Sequence, residues 1–339
     1  MKLRNLALVF ALGCASPAAA QSLPYDNLFV FGDSLVDSGN AQIARAQSGG
    51  SDPAPAALGY FQGRFSNGYN FADELAFAIT GAPATASLAG GLNYSFGGAQ
   101  AREQLGDASP SFAEQLGMFT SSGRRIGAND LVLVTLGGND IRSVVRDTGE
   151  VSFDETLTAF RSGLTTLVGA GARSLVITGL PDIGSLPATR GVALEELDPQ
   201  IIQLASERSA FLNMEFSMLA DNLSSSLGVN VQFFDLLGYQ SQLVAYPERF
   251  GLPADLNTTS FCQAGGPAAV LGGCTDYLFF DPVHPTAQVH QAIATAIEKQ
   301  LSVAAVPEPA TWLSMILGFG MLGGVLRIRR TAPRALAMG

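Results

Sequence analysis

Short apolar runs of β-type residues alternate with longer amphipathic stretches along this chain, and each run stops at a glycine or an aspartate. Residues 27–31 end at Gly32, 131–136 at Gly137-Gly138, 174–178 at Gly179 and 229–234 at Asp235. A shorter run, 92–96, ends at Gly97-Gly98. Runs this continuous do not suit a sheet with one wet face, where apolar and polar residues alternate. They suit strands buried on both faces, as in a parallel sheet. Apolar periodicity between them predicts helices over 70–79, 111–120, 153–168, 194–227 and 285–301. Ser111 with Glu114 three residues later is a capping-box start. Strand–helix alternation of this kind predicts a three-layer α/β/α sandwich, doubly wound, with right-handed crossovers. Stretches rich in Gly, Pro and small residues near 48–59, 80–91 and 238–274 read as surface excursions on one domain.

The two ends differ from this body. Lys2 and Arg4, an apolar run over 6–12, and Ala18-Ala19-Ala20 before Gln21 have the order of a signal peptide spanning 1–20, which would carry Cys14 away with it. At the other end, Val306-Pro307-Glu308-Pro309 precedes an apolar stretch over 310–326, then Arg327, Arg329 and Arg330. That stretch is at the short end of what spans a bilayer, roughly 17–25 residues. The arginines would hold its end in the cytoplasm and leave the body outside the inner membrane. This arrangement resembles the PEP-CTERM sorting signal. The resemblance implies processing by an exosortase-type membrane protease, followed by residence at the cell surface or in the extracellular matrix. The expected division is therefore a signal peptide over 1–20, one globular domain over 21–305, a sorting signal with a transmembrane helix over 306–330, and a short tail over 331–339.

Residues 21–306 hold 13 basic and 28 acidic residues, a net charge of −15, with Lys299 the one lysine. A body this acidic repels phosphate backbones, which argues against nucleic acid as a partner. Cys262 and Cys274, in an oxidising compartment, read as a disulfide closing a Gly-rich loop. With no other thiol in the body and two histidines in the chain, a metal site is not expected.

Ligands of an open α/β sheet bind beyond the carboxyl ends of its strands. Here those ends carry a hydroxyl in Gly32-Asp33-Ser34-Leu35, a tight turn in Gly97-Gly98, an amide in Gly137-Gly138-Asn139-Asp140 and, near the chain's end, Asp281-Pro282-Val283-His284-Pro285. These are the parts of an acyl-transfer site. A serine hydroxyl needs a base to take its proton, and His284 is available. A histidine needs a carboxylate to fix its tautomer, and Asp281 lies three residues upstream. An oxyanion needs donors. The backbone N–H of Ser34, expected at a helix start, the N–H of Gly98 and the side-chain amide of Asn139 would supply them. Asp33 and Asp140 are expected to bond local backbone. His290, six residues past His284 on the same helix, falls on the opposite face and reads as a solvent or packing histidine. Trp312 suits a membrane interface.

These blocks resemble those of the GDSL, or SGNH, hydrolase superfamily, and within it the subgroup of plant GDSL esterase/lipases and bacterial secreted esterases. Gly63-Arg64-Phe65-Ser66-Asn67-Gly68, Asn93-Tyr94-Ser95-Phe96-Gly97-Gly98-Ala99 and Phe280-Asp281-Pro282-Val283-His284-Pro285-Thr286 match further landmarks. Gly179-Leu180-Pro181-Asp182-Ile183-Gly184 departs from its landmark in carrying Asp182 for a second proline. The resemblance covers about residues 27–301. It implies a flavodoxin-like fold and hydrolysis of carboxylic esters with no cofactor. It assigns Ser34 as nucleophile, His284 as base and acid and Asp281 as orienter, with Ser34, Gly98 and Asn139 as the oxyanion hole. The substrate stays open between a lipid ester and an acyl group on polysaccharide. So do an acyltransferase using the same acyl-enzyme and a non-catalytic surface protein.

Overall fold

The computed structural model describes residues 23–103 and 109–304. Its strands are β1 (Leu28–Gly32), β2 (Leu131–Thr135), β3 (Ser174–Thr178), β4 (Asn230–Phe234), β5 (Asn257–Phe261) and β6 (Tyr277–Phe279). Its helices are α1 (Asn40–Gln47), α2 (Phe71–Thr80), α3 (Phe112–Ser121), α4 (Gly138–Ser143), α5 (Asp154–Gly169), α6 (Pro187–Glu195), α7 (Gln200–Leu227), α8 (Leu236–Ala245), α9 (Gly266–Leu271) and α10 (Ala287–Ala304). The signal peptide, the sorting signal with its transmembrane helix, Trp312 and the short tail all lie outside the described residues.

Four parallel strands form the main sheet in the order β1-β2-β3-β4. Every residue of β1 and β2 is buried, as their unbroken apolar runs require. The flanking helices form two groups. Helices α2 and α10 pack on each other, and α3, α5 and α7 pack in succession. The expected α/β sandwich is therefore present.

The fifth expected strand, 92–96, is a correction. It runs beside β1, with Val30 N–H donating to Leu92 O at 3.1 Å, Tyr94 N–H to Val30 O at 2.7 Å and Phe96 N–H to Gly32 O at 3.0 Å. It nevertheless forms only isolated bridges at Asn93, to Val30 and to Ala86. The Asn93 side chain accepts the Ser95 N–H at 3.0 Å, a local bond that competes with a regular ladder. Counting this segment, the order (92–96)-β1-β2-β3-β4 is flavodoxin-like, and the chain reverses its direction of growth beside β1.

Two further expectations need correction. The single helix over 194–227 is two, α6 and α7. They break where Leu197 takes φ 55° and Pro199, unable to donate a ladder bond, precedes α7. The excursion at 238–274 is not bare loop either. It holds most of α8, then β5 and α9, and β5 pairs in parallel with β6. Cys262 and Cys274 are disulfide-bonded and pack with Phe280 in a small separate apolar cluster. That cluster sits immediately before Asp281 in sequence.

His290 is buried and packs 5.7 Å from the Phe71 ring, so of the two readings it is the packing histidine. Its Nδ1 accepts the Phe71 N–H at 3.3 Å, at the start of α2. Burial pushes its pKa down to about 3, with His284 a smaller influence in the same direction. The unfolded chain therefore binds a proton at His290 below about pH 6.5 that the folded chain refuses until about pH 3, so this residue lowers stability as pH falls through that window. Replacing His290 with Gln keeps an acceptor and removes the titration. Denaturant unfolding at pH 7 and pH 5 is expected to show wild type losing about 2 kcal/mol more than His290→Gln across that interval. Equal losses would contradict the assignment.

Candidate active site

Ser34 lies just past the end of β1, in a turn and not at a helix start. The first helix begins six residues later, at Asn40, and its N-terminus is already occupied. The Asp37 carboxylate accepts the N–H groups of Gly39 at 2.8 Å, Asn40 at 2.7 Å and Ala41 at 3.1 Å. The same carboxylate accepts the Gly97 N–H at 2.8 Å. Asp37 therefore ties the turn after β1 to the glycine turn after 92–96. Two amides add to this stitching. Asn40 Nδ2 donates to Asn93 O and Ser95 O, and Asn93 Nδ2 donates to Val36 O and Ser38 Oγ.

The other half of the site comes from the segment between β6 and α10. Ser66 Oγ donates to Pro285 O at 2.9 Å, and Asn67 Oδ1 accepts the Ala287 N–H at 2.8 Å. Phe65, held between these residues and Arg64, lies 5.2 Å from the His284 ring. Arg64 is fixed by a buried ion pair with Asp73 of α2, at 2.9 Å. Residues 63–68 thus join α2, α10 and the His284 ring.

Across this junction, His284 Nε2 lies 2.7 Å from Ser34 Oγ, and His284 Nδ1 lies 2.7 Å from Asp281 Oδ2. Asp281 Oδ1 accepts the N–H groups of Val283 at 2.8 Å and His284 at 2.7 Å. Burial opposes ionisation of Asp281, but the facing His284 and these donors outweigh it and hold the carboxyl down at about 2. An ionised carboxylate only accepts, so Nδ1 carries the hydrogen. In the neutral ring Nε2 is then the acceptor, and the Ser34 hydroxyl donates to it.

Gly98 adopts φ 87°, and a Cβ there would come within 2.7 Å of Ser109 Oγ, so the turn requires glycine. The Gly97 N–H is engaged by Asp37, whereas those of Gly98 and Ser34 make no hydrogen bond among the described residues. This favours Gly98 over its neighbour as a donor. Asn139, in the first turn of α4, donates from Nδ2 to Ala99 O at 2.9 Å and accepts Arg142 Nη1 at 3.0 Å. A carbonyl cannot donate and a guanidinium cannot accept, so these two partners fix the amide's orientation. The second hydrogen of Nδ2 stays available. Asp33 bonds local backbone as expected, whereas Asp140 bonds groups distant in sequence. Asp33 accepts the Leu35 N–H, while Asp140 accepts the more distant Ala101 N–H and the Thr156 hydroxyl. Among the described residues no cluster of metal-ligating side chains occurs.

Three contributors escaped sequence reasoning: Tyr60, Asp37 and Arg142. The Tyr60 hydroxyl donates to Asp281 Oδ2 at 2.8 Å, onto the same oxygen that faces His284. Burial, and then the Asp281 charge, push the Tyr60 pKa up, so it remains a donor. Nothing local in sequence pairs residues 60 and 281.

A family profile described as GDSL-like lipase/acylhydrolase matches residues 28–297, and the chain belongs to that family. The PEP-CTERM protein-sorting motif matches residues 305–330. A GDSL esterase/lipase from Arabidopsis thaliana is 28% identical over 322 residues, covering 79% of this chain and 85% of its own length. The thermolabile hemolysin of Vibrio parahaemolyticus is 26% identical over 296 residues, covering 83% of this chain and 65% of its own. Among solved structures, an acetylxylan esterase from Geobacillus stearothermophilus aligns with TM-score 0.44 at 13% identity, over 81% of this chain and 94% of its own. No helix among the described residues is long and apolar enough to cross a membrane.

The Asp281 carboxyl is more acidic folded than unfolded, where it titrates near 3.9. Its ion therefore contributes stability that is full above that value and lost as pH falls toward 2. Removing the Tyr60 hydroxyl takes one donor from this buried ion. Tyr60→Phe is expected to lower unfolding stability at pH 7 by about 1–2 kcal/mol, read by urea titration. An unchanged midpoint and slope would show that the hydroxyl contributes nothing.

Proposed function

We propose that this chain is an exported serine hydrolase of carboxylic esters, with residues 21–305 as its catalytic domain. The observation that carries the reading is the continuous path Ser34 Oγ–His284 Nε2/Nδ1–Asp281 Oδ2, both links 2.7 Å, at the wall of an open pocket of about 650 Å³. Family membership and the names of the relatives support it.

In this reading Ser34 Oγ attacks the ester carbonyl carbon while its proton passes to His284 Nε2. Negative charge gathers on the carbonyl oxygen, met by the N–H groups of Ser34 and Gly98 and by Asn139 Nδ2. Asp281 holds the ring and steadies the imidazolium. Collapse breaks the bond to the alcohol oxygen, which takes the proton from Nε2 and leaves. Water then gives a proton to His284, attacks the acyl carbon and frees the acid, and Ser34 recovers its proton. These steps use the chain's own groups.

The sorting motif supports export through the signal peptide over 1–20 and exosortase processing of the segment over 306–330. It does not choose between a lipid ester and an acylated polysaccharide.

Hydrolysis of p-nitrophenyl butyrate by the purified chain is expected to fall by about 10⁴-fold or more in Ser34→Ala. Turnover unchanged in Ser34→Ala would contradict the proposal.

A further inference from the structure

Space opens on two sides of Ser34, and the two sides differ in kind. The wide pocket of about 650 Å³ is lined by Ser34 and His284 together with Gly98, Phe65, Arg45 and Arg142. The other side is narrow, a cavity of about 30 Å³ that is polar where Ser34, Asn139, His284, Asp33 and Arg142 line it and apolar toward Leu180 and Ile183. A second narrow cavity of about 40 Å³ adjoins it, sharing Leu35, Pro181, Leu186 and Val283. Leu35 follows the nucleophile in sequence and Val283 precedes the histidine. The far wall is formed by Leu236 and Leu243 of α8 with Val289 and Ile293 of α10.

This second cavity is dry in character. Its two polar side chains are engaged elsewhere. The Tyr239 hydroxyl donates to Ala292 O at 2.7 Å. Gln240 accepts the Asp182 N–H at 2.8 Å and donates from Nε2 to Ser185 Oγ at 3.1 Å. A sugar hydroxyl placed there would lose its hydration and find no partner, and water would fare little better. An alkyl chain loses nothing by entering.

We infer that the two narrow cavities form the acyl-chain subsite, and that the alcohol part of the ester occupies the wide pocket. The inference rests on the ester-hydrolase reading above and gives it a substrate class, esters of short unbranched acyl chains. Turnover itself dictates the orientation. After the first step the alcohol must leave and water must reach the acyl carbon, so both need the open side. The acyl group stays bonded to Ser34 Oγ throughout and is the part that tolerates a narrow one. Two adjoining spaces of this size hold on the order of two or three carbons beyond the carbonyl, since one water-sized volume is about 30 Å³. A long fatty chain would have to displace the α8–α10 wall.

The test is kcat/KM on p-nitrophenyl acetate, butyrate, hexanoate and decanoate, using the full chain, its Ser34→Ala control, and Leu243→Phe and Leu243→Ala. Each buried methylene is worth about 0.8 kcal/mol, or about fourfold, so butyrate is expected to exceed acetate by about tenfold and hexanoate to gain little more. Leu243→Phe is expected to lower the butyrate-to-acetate ratio by about fivefold, and Leu243→Ala to shift the optimum toward hexanoate. If Leu243→Phe does not fold, Leu243→Ala alone carries the shift. Ratios indifferent to both variants, or acetate as the best substrate throughout, would overturn the subsite and leave the hydrolase reading intact. No Ser34-dependent turnover of any ester would overturn the hydrolase reading, and this inference with it.

Discussion

The contact between Ser34 Oγ and His284 Nε2 joins residues 250 positions apart, and much of the surrounding structure serves to keep it short. Ser34 is placed by the buried strand β1 and by the carboxylate of Asp37, which fastens the following turn to Gly97. His284 is placed by α10, by residues 65–67 and by Asp281. The disulfide and Phe280 secure the approach to Asp281 from the other side. A rigid sheet edge and a braced loop thus meet without either side chain having to search for the other, which is how such a site avoids the entropic cost of ordering at each turnover.

Several carboxyl groups lie buried around this contact, and their surroundings separate them. Burial pushes Asp33 up to about 7 and Asp37 to about 6, against the pull of the N–H groups bonded to each, and it raises Asp140 as well. Asp281 alone among these is held low, because it faces the imidazole and receives donors on both oxygens. The charge that would steady an imidazolium therefore stands beside the ring, and its buried neighbours resist ionisation. Arg142, desolvated and bonded to Asn139, adds a positive group there.

The main sheet was legible because strands buried on both faces write continuous apolar runs, and the motifs were legible because each falls at a strand exit. Ser34, Asn139, Asp281 and His284 could be chosen on that ground alone, and the structure brings them together. The failures have physical causes. Residues 92–96 have a strand's composition, but the Asn93 side chain accepts the Ser95 N–H and breaks the ladder. Pro199 marked the break between α6 and α7, and apolar periodicity running across it hid the signal. The region containing β5 and α9 draws its order from a distant partner, β6, and from a disulfide, which local pattern does not report. Tyr60 meets Asp281 across 221 positions, a contact made only by the folded chain.

The central claim is that residue 34 is a hydroxyl made nucleophilic by the imidazole of residue 284. A fluorophosphonate probe tests it directly, because it bonds to activated serine hydroxyls whether or not the natural ester is known. Labelling of the full chain followed by peptide mass spectrometry is predicted to place the adduct on Ser34 alone and to lose it in His284→Ala. An adduct on another residue, or labelling of Ser34 that persists without His284, would contradict the account.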